Sequence, residues 1–158
     1  MDELAGETTR RHFLELATLV ATGVVIGAGT DTAGATPPKG DLSRTPLAQG
    51  RLEEPITVST KGPTDFHIHQ VVVQPGADSG WHTHPGTALD IVKSGTVTAY
   101  LDNCEPIAVA AGQAFFVPAG MPHLAANEGT EPAEIYVTYL VAAGAEPRTD
   151  AGKPAACS

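Results

Sequence analysis

Short segments rich in valine, isoleucine and aromatic residues constrain the fold more than any other feature of the sequence. Each is six to eleven residues long, and most are bounded by Gly, Pro, Asn or Asp, which interrupt strands and form turns. This spacing predicts an all-β sandwich or barrel, with no convincing helix beyond the N-terminal segment. The segments are PITVST (55–60), DFHIHQVVVQ (65–74), LDIVKSG (89–95), TVTAYLD (96–102), IAVAAG (107–112), AFFVPAG (114–120) and AEIYVTYLVAA (133–143).

Length, composition and charge restrict the classes of partner. The 158 residues suffice for about one domain, and 42% hydrophobic with 17% charged residues is typical of a folded protein. The formal net charge is −9, and no Lys/Arg cluster follows Arg10–Arg11. An acidic chain of this kind is not expected to bind nucleic acid or an anionic membrane surface.

The N-terminus has the features of an export signal. Thr9–Leu14 resembles the twin-arginine motif, although Glu15 stands where that motif often has Lys. A mildly apolar run follows and ends near Ala33–Ala35, an A-x-A cleavage site. We therefore expect residues 1–35 to be a signal peptide and the protein to be exported, secreted or in the cell envelope, without membrane attachment after cleavage. A helix packed on the domain and a retained anchor are the alternatives, although glycine breaks the apolar run.

Three further parts follow the expected signal. Residues 36–54 are polar and proline-rich and predict a linker or an N-terminal arm, whereas residues 55–142 contain the predicted strands. Residues 143–158 predict an irregular C-terminal tail. The two cysteines, Cys104 and Cys157, could pair in an oxidising compartment and pin this tail to the domain. Such a link would stabilise the fold by about 4 kcal/mol on the chain-entropy argument; two unpaired thiols are the alternative.

Histidines are the first candidates for chemistry. His82 and His84 lie in GWHTHPG (80–86), and side chains two apart along a strand project to the same face. Taken alone, this pair is weak support for a site, since most such pairs are solvated. His123 follows the sequence Pro118–Gly120, a turn in which proline fixes φ and glycine relaxes it. That turn allows His123 to face the other two imidazoles.

Two spaced patterns surround these histidines. They are Gly76-x5-His82-x-His84 with Gly95, and Gly112-x5-Pro118-Ala119-Gly120-x2-His123-x3-Asn127. These patterns resemble the two sequence motifs of the cupin superfamily. The resemblance extends from Ile56 to Leu140 and implies a single-domain cupin jelly-roll β-barrel. It further implies a divalent transition metal held by three histidines, and dimers formed through sheet edges and N-terminal arms.

The sequence departs from the cupin pattern at one metal ligand. The glutamate that cupins usually add to the three histidines is replaced by Ala88. Without that anionic ligand, His82, His84 and His123 suit zinc, iron, copper or nickel better than manganese. An empty site is the alternative. Asp90 lies two residues on, on the same strand face and about 6–7 Å along it. Asp90 is a candidate catalytic residue, acting through water or as an acid or base; a hydrogen-bonded structural carboxylate is the alternative.

A second pair, His67 and His69, is predicted on an outer or subunit-facing surface. If Val73 points into the barrel, the alternation of strand side chains would instead bring His69 towards the pocket.

The sequence leaves the activity open. One hypothesis is a metal-dependent enzyme of dioxygenase, isomerase or lyase type acting on a small oxygenated molecule. Another is a non-catalytic module that binds a small molecule or a metal, and the third is a structural barrel without metal. One fold supports all three, so whether the chain is an enzyme is not decided by its sequence.

Overall fold

The structure is a computed structural model that describes residues 38–157, so the expected signal peptide, residues 1–35, lies outside the described residues. The sheets belong to one compact unit, Ser43–Ser158. No helix in the described part of the chain is long and apolar enough to cross a membrane. The elements are β1 (Thr64–Val73), β2 (His82–Thr83), β3 (Thr87–Ser94), β4 (Thr96–Tyr100), β5 (Pro106–Ala110), β6 (Ala114–Val117), β7 (Leu124–Ala126), β8 (Ala133–Ala142), β9 (Thr149–Asp150) and a 3-10 turn (Ala155–Cys157).

The strands form antiparallel sheets. One sheet has the order β1-β8-β3-β6, a second has the order β5-β4-β7, and β2 pairs with β9. Single bridges from Asp78 to Ala126 and from His82 to His123 attach the β2 region to the second sheet. The predicted all-β fold is confirmed.

The core lies between the two sheets and follows the alternation of strand side chains. In β8, Ile135, Val137, Tyr139 and Val141 are at most 8% exposed, while the residues between them are only half-buried. The same alternation places Ala88, Asp90 and Val92 of β3 inside. One cluster of buried residues joins residues of both sheets, including Val92, Val97 and Val109. The candidate site residues of β3 and β8 therefore face a shared interior.

The prediction of a first strand at residues 55–60 is wrong. Residues 55–60 form no strand, and Ile56 and Val58 are each 38% exposed. Proline lacks an N–H donor for a strand ladder; Pro55 begins this segment, and Pro63 follows three residues after its end. An alternating pattern without a neighbouring strand to pair with remains irregular chain.

Parts of the arm and the tail contact the sheets. In the arm, the Arg51 N–H donates to the carbonyl of Gly112 at 2.9 Å, and the Arg51 carbonyl accepts from Ala114 at 2.8 Å. The tail is more ordered than predicted, because its residues Thr149–Asp150 form β9. Cys104 and Cys157 are joined by a disulfide. Two-residue strands carry too little periodicity to be seen in a sequence, which is why β9 was missed.

Candidate metal centre

A backbone bridge brings two distant segments of the chain together at the site. The His82 N–H donates to the His123 carbonyl at 3.0 Å, and the His123 N–H donates to the His82 carbonyl at 2.9 Å. Residues directly opposite each other in an antiparallel bridge project to the same face. The predicted turn, Pro118–Gly120, is also hydrogen-bonded to this region, since the Gly120 N–H donates to the His84 carbonyl at 2.8 Å.

The three histidines meet inside the domain. Their ring centroids are 4.1 Å apart for His82–His123, 4.8 Å for His84–His123 and 4.9 Å for His82–His84. The rings are buried, with exposed fractions of 6%, 2% and 4% for His82, His84 and His123. One ligand atom from each histidine lies within 4.8 Å of the others. The structure therefore brings together the three residues that the sequence analysis named.

Each imidazole is fixed by a backbone carbonyl. Nδ1 of His82 lies 2.9 Å from the Gly80 carbonyl, Nδ1 of His123 lies 3.0 Å from the Met121 carbonyl, and Nδ1 of His84 lies 2.6 Å from the Pro147 carbonyl. A carbonyl oxygen only accepts, so Nδ1 must carry the proton in all three rings. In a neutral ring this leaves the lone pair of Nε2 free to bind a metal.

Burial also keeps these rings neutral. Loss of solvation lowers the pKa of His82 and of His84 to about 4, and it lowers the pKa of His123. The positive charge of Arg148 lowers all three pKa values further, while the carbonyl hydrogen bonds oppose the shift. Near pH 7 the three side chains are therefore neutral and able to bind a metal through Nε2.

The donor set fits a first-row transition metal. Two imidazole nitrogens that bind one ion at about 2.1 Å are at most about 4.2 Å apart. The ligand atoms here lie within 4.8 Å of one another, so small movements of the rings would bring them to binding distance. Neutral nitrogen donors suit zinc, iron, copper or nickel. Three close histidines in a domain of this fold suggest a metal site without identifying the metal.

Tyr139 is a site residue that the sequence analysis did not select. It stands opposite Ala88 in the β3–β8 ladder, and its ring centroid is 4.7 Å from that of His84. Burial, followed by the negative charge of Asp90, raises the pKa of Tyr139 to about 12. The tyrosine therefore lies beside the position where cupins carry their glutamate, as a neutral phenol. A single sequence offers no signal for this role, since the register of β8 against β3 decides it.

Asp90 is a buried carboxyl group on the inner face of β3. It is 5% exposed, and its Oδ1 atom has no hydrogen-bond partner among the described residues. Loss of solvation raises the pKa of Asp90 to about 8, so the group is mainly protonated at pH 7. The absence of a partner for Oδ1 in this part of the chain argues against a purely structural carboxylate.

The second histidine pair lies on the same face of β1 as the buried Val73, where His67 is half-buried and His69 is exposed, so the predicted surface position holds for His69. His67 stands opposite Tyr139 and His69 opposite Val137 in the β1–β8 ladder. The His69 ring centroid is 5.2 Å from that of Tyr139, edge to face, although His69 remains exposed. Phe66, on the alternate face, points outward with 66% exposure.

Comparisons with known proteins agree with this architecture. Residues 69–139 match the Cupin domain family. No curated protein matches the chain.

Solved structures of similar fold come from several bacteria. A conserved protein of unknown function from Streptococcus pyogenes is 30% identical, over 51% of this chain and 68% of that chain, with a TM-score of 0.45. A Klebsiella pneumoniae protein with a double-stranded β-helix domain is 28% identical, over 67% of this chain and 91% of that chain, with a TM-score of 0.49. The DMSP lyase DddQ from Ruegeria pomeroyi DSS-3 is 17% identical, over 56% of this chain, with a TM-score of 0.50. The chain spans 44% of that lyase, and this likeness concerns the fold alone. Residues 69–139 thus match a cupin domain, and the described part of the chain has an all-β cupin fold.

Proposed function

We propose that His82, His84 and His123 hold a divalent transition metal, namely zinc, iron, copper or nickel, and that the chain is a metal-dependent enzyme acting on a small oxygenated molecule. One observation carries the proposal: all three buried imidazoles use Nδ1 to donate to a carbonyl and keep Nε2 free. Packing alone would not require the same tautomer in all three rings. When bound, such an ion supplies Lewis acidity towards an oxygen ligand.

Two side chains with an acidic O–H group, the carboxyl of Asp90 and the phenol of Tyr139, lie on the inner faces of β3 and β8 and indicate the type of reaction. Asp90 is protonated near neutral pH because burial raises its pKa to about 8, and a group with a pKa in this range can both give and take a proton. Tyr139 offers a phenol next to the His84 ring. Ala88, where a glutamate would stand, lies opposite Tyr139 in the β3–β8 ladder. This arrangement favours proton transfer, and so an isomerase or lyase reaction, over dioxygenation.

Metal content tests the proposal. Untagged protein, purified without a metal column, is expected to carry close to one equivalent of metal by elemental analysis. The variant His84→Ala should lose the metal and keep its far-ultraviolet circular dichroism spectrum. His69→Ala is the matched control, because His69 is an exposed histidine of the same domain, and it should retain the metal. Wild-type protein that stays metal-free after reconstitution, or a His84→Ala variant that binds as tightly as wild type, would contradict the proposal.

A non-catalytic binding module is the second candidate. The observation that favours it is the burial of the imidazoles, each at most 6% exposed, which leaves little access for a substrate. In that case the protein would bind metal stoichiometrically and turn over no member of a panel of small hydroxy acids, ketones and lactones. Turnover that disappears on metal removal and returns on its replacement would exclude this candidate.

A further inference from the structure

The C-terminal segment Pro147–Cys157, here called the strap, lies against the chain that carries two of the three histidines. The hydrogen bonds and strand pairs described below join it to residues 79–84. None of residues 147–157 is buried, so packing contributes little to holding the strap in place. The contacts are Pro147 O with His84 Nδ1 at 2.6 Å, Arg148 Nη2 with Ser79 O at 2.8 Å, Ala151 N with Trp81 O at 2.9 Å, and the pairing of Thr149 and Asp150 with Thr83 and His82.

The strap supplies the carbonyl that fixes one of the three imidazoles, whereas the carbonyls that fix the other two come from elsewhere. The carbonyls that fix His82 and His123 belong to residues two positions away in their own segments, Gly80 and Met121. The carbonyl that fixes His84 belongs to Pro147, which is 63 positions away. The tautomer of His84 is therefore set by a distant piece of chain that must be held in position.

The far end of the strap is anchored covalently. Cys157 is bonded to Cys104, which lies in the turn between β4 and β5, where the Cys104 N–H donates to the Leu101 carbonyl at 3.0 Å. The strap itself contains a strand of two residues and a single 3-10 turn. Elements this short are not stable by themselves, so the cross-link restricts where the strap can go.

We propose that Cys104 and Cys157 are positioning residues for the metal centre. Their disulfide holds the strap so that the Pro147 carbonyl keeps the His84 proton on Nδ1 and its Nε2 directed at the other two imidazoles. The effect on His84 stands without any metal, whereas the effect on metal affinity rests on the proposed function. A hydrogen-bond partner that orients a metal-binding histidine changes metal affinity by roughly 10- to 100-fold.

The test follows the three ring tautomers in metal-free protein. Protein labelled with ¹⁵N-histidine is studied at pH 7 by long-range ¹H–¹⁵N correlation, as wild type and as the double variant Cys104→Ser, Cys157→Ser. We expect the Nδ1–H form for all three rings in wild type. In the double variant only His84 should change, to a mixture with the Nε2–H form. Lys153→Ser, at an exposed strap position, is the matched control and should leave His84 unchanged.

A second variant covers the case in which the double variant does not fold. Ala151→Pro removes the N–H that binds the Trp81 carbonyl and leaves the disulfide intact. It should produce the same change, confined to His84. Co²⁺ titration of the wild type and the variants then measures affinity, with a loss of roughly tenfold or more expected where His84 has changed.

Two outcomes would overturn the inference. One is a folded double variant with all three rings still in the Nδ1–H form, and the other is an Ala151→Pro variant with an unaltered His84 ring. Failure of the wild type to bind Co²⁺ would instead contradict the proposed function and leave the tautomer result standing.

Discussion

The buried carboxyl group of Asp90 gives the most quantitative prediction. The variant Asp90→Asn keeps the shape of the side chain and removes its ability to ionise. In the unfolded chain Asp90 loses its proton near pH 3.8, but in the folded protein burial raises the pKa to about 8. Between these two values the folded protein binds more protons at this site than the unfolded chain. The contribution of Asp90 to stability is therefore complete below about pH 3.8 and is lost as the pH rises towards 8.

The size of the effect follows from the two pKa values. Each pH unit inside this window changes the free energy of unfolding by about 1.4 kcal/mol. From pH 5 to pH 8 the wild type should thus lose about 4 kcal/mol relative to Asp90→Asn. The buried amide has a desolvation cost of its own, about 1–3 kcal/mol, but that cost does not vary with pH. The slope of the difference against pH is therefore the diagnostic quantity.

Urea unfolding of metal-free protein at several pH values between 5 and 8 measures this slope. The lowered pKa values of His82 and His84 act in the opposite direction, since their stabilisation is complete above about pH 6.5 and is lost as the pH falls towards 4. They are present in both proteins and cancel in the difference. Asp102→Asn, at an exposed turn position, is the control and should follow the wild type. A difference between Asp90→Asn and wild type that stays constant with pH would refute the assignment of Asp90 as a buried neutral acid.

Two further predictions concern activity and export. Tyr139→Phe keeps the ring against His84 and removes the hydroxyl group. If the phenol takes part in proton transfer, this variant should retain the metal and reduce turnover by roughly 10²-fold or more. Unchanged turnover of the substrate that the wild type converts would exclude that role. Replacing Arg10 and Arg11 by lysine should keep the full-length chain in the cytoplasm, as judged by cell fractionation, and export at the wild-type level would contradict a twin-arginine signal.

The local parts of the site could be predicted from the sequence. His82 and His84 are two residues apart, and strand geometry alone puts them on one face. Several glycines are similarly informative, because they have a positive φ that other residues rarely adopt. Gly95, for example, has a φ of +73°, and a Cβ atom there would lie 2.8 Å from the Cα of Ala133. Constraints of this kind can be recognised within a single segment of the sequence.

Long-range partners could not be predicted. Tyr139 enters the site because β8 pairs with β3 in a register that places it opposite Ala88, and no local pattern encodes that register. The same reason explains the error at residues 55–60, where strand-like composition lacks a partner strand. The Pro147 carbonyl acts on His84 from 63 positions away, in a tail whose composition indicates only irregular chain.

Anomalous X-ray diffraction from crystals of the metal-loaded, untagged protein tests the central claim most directly. Data collected on either side of the metal's absorption edge should show one ion, bound to Nε2 of His82, His84 and His123 at about 2.0–2.2 Å. The Nδ1 atoms should still donate to the carbonyls of Gly80, Pro147 and Met121. An ion bound elsewhere, or an ion bound through Nδ1, would contradict the account.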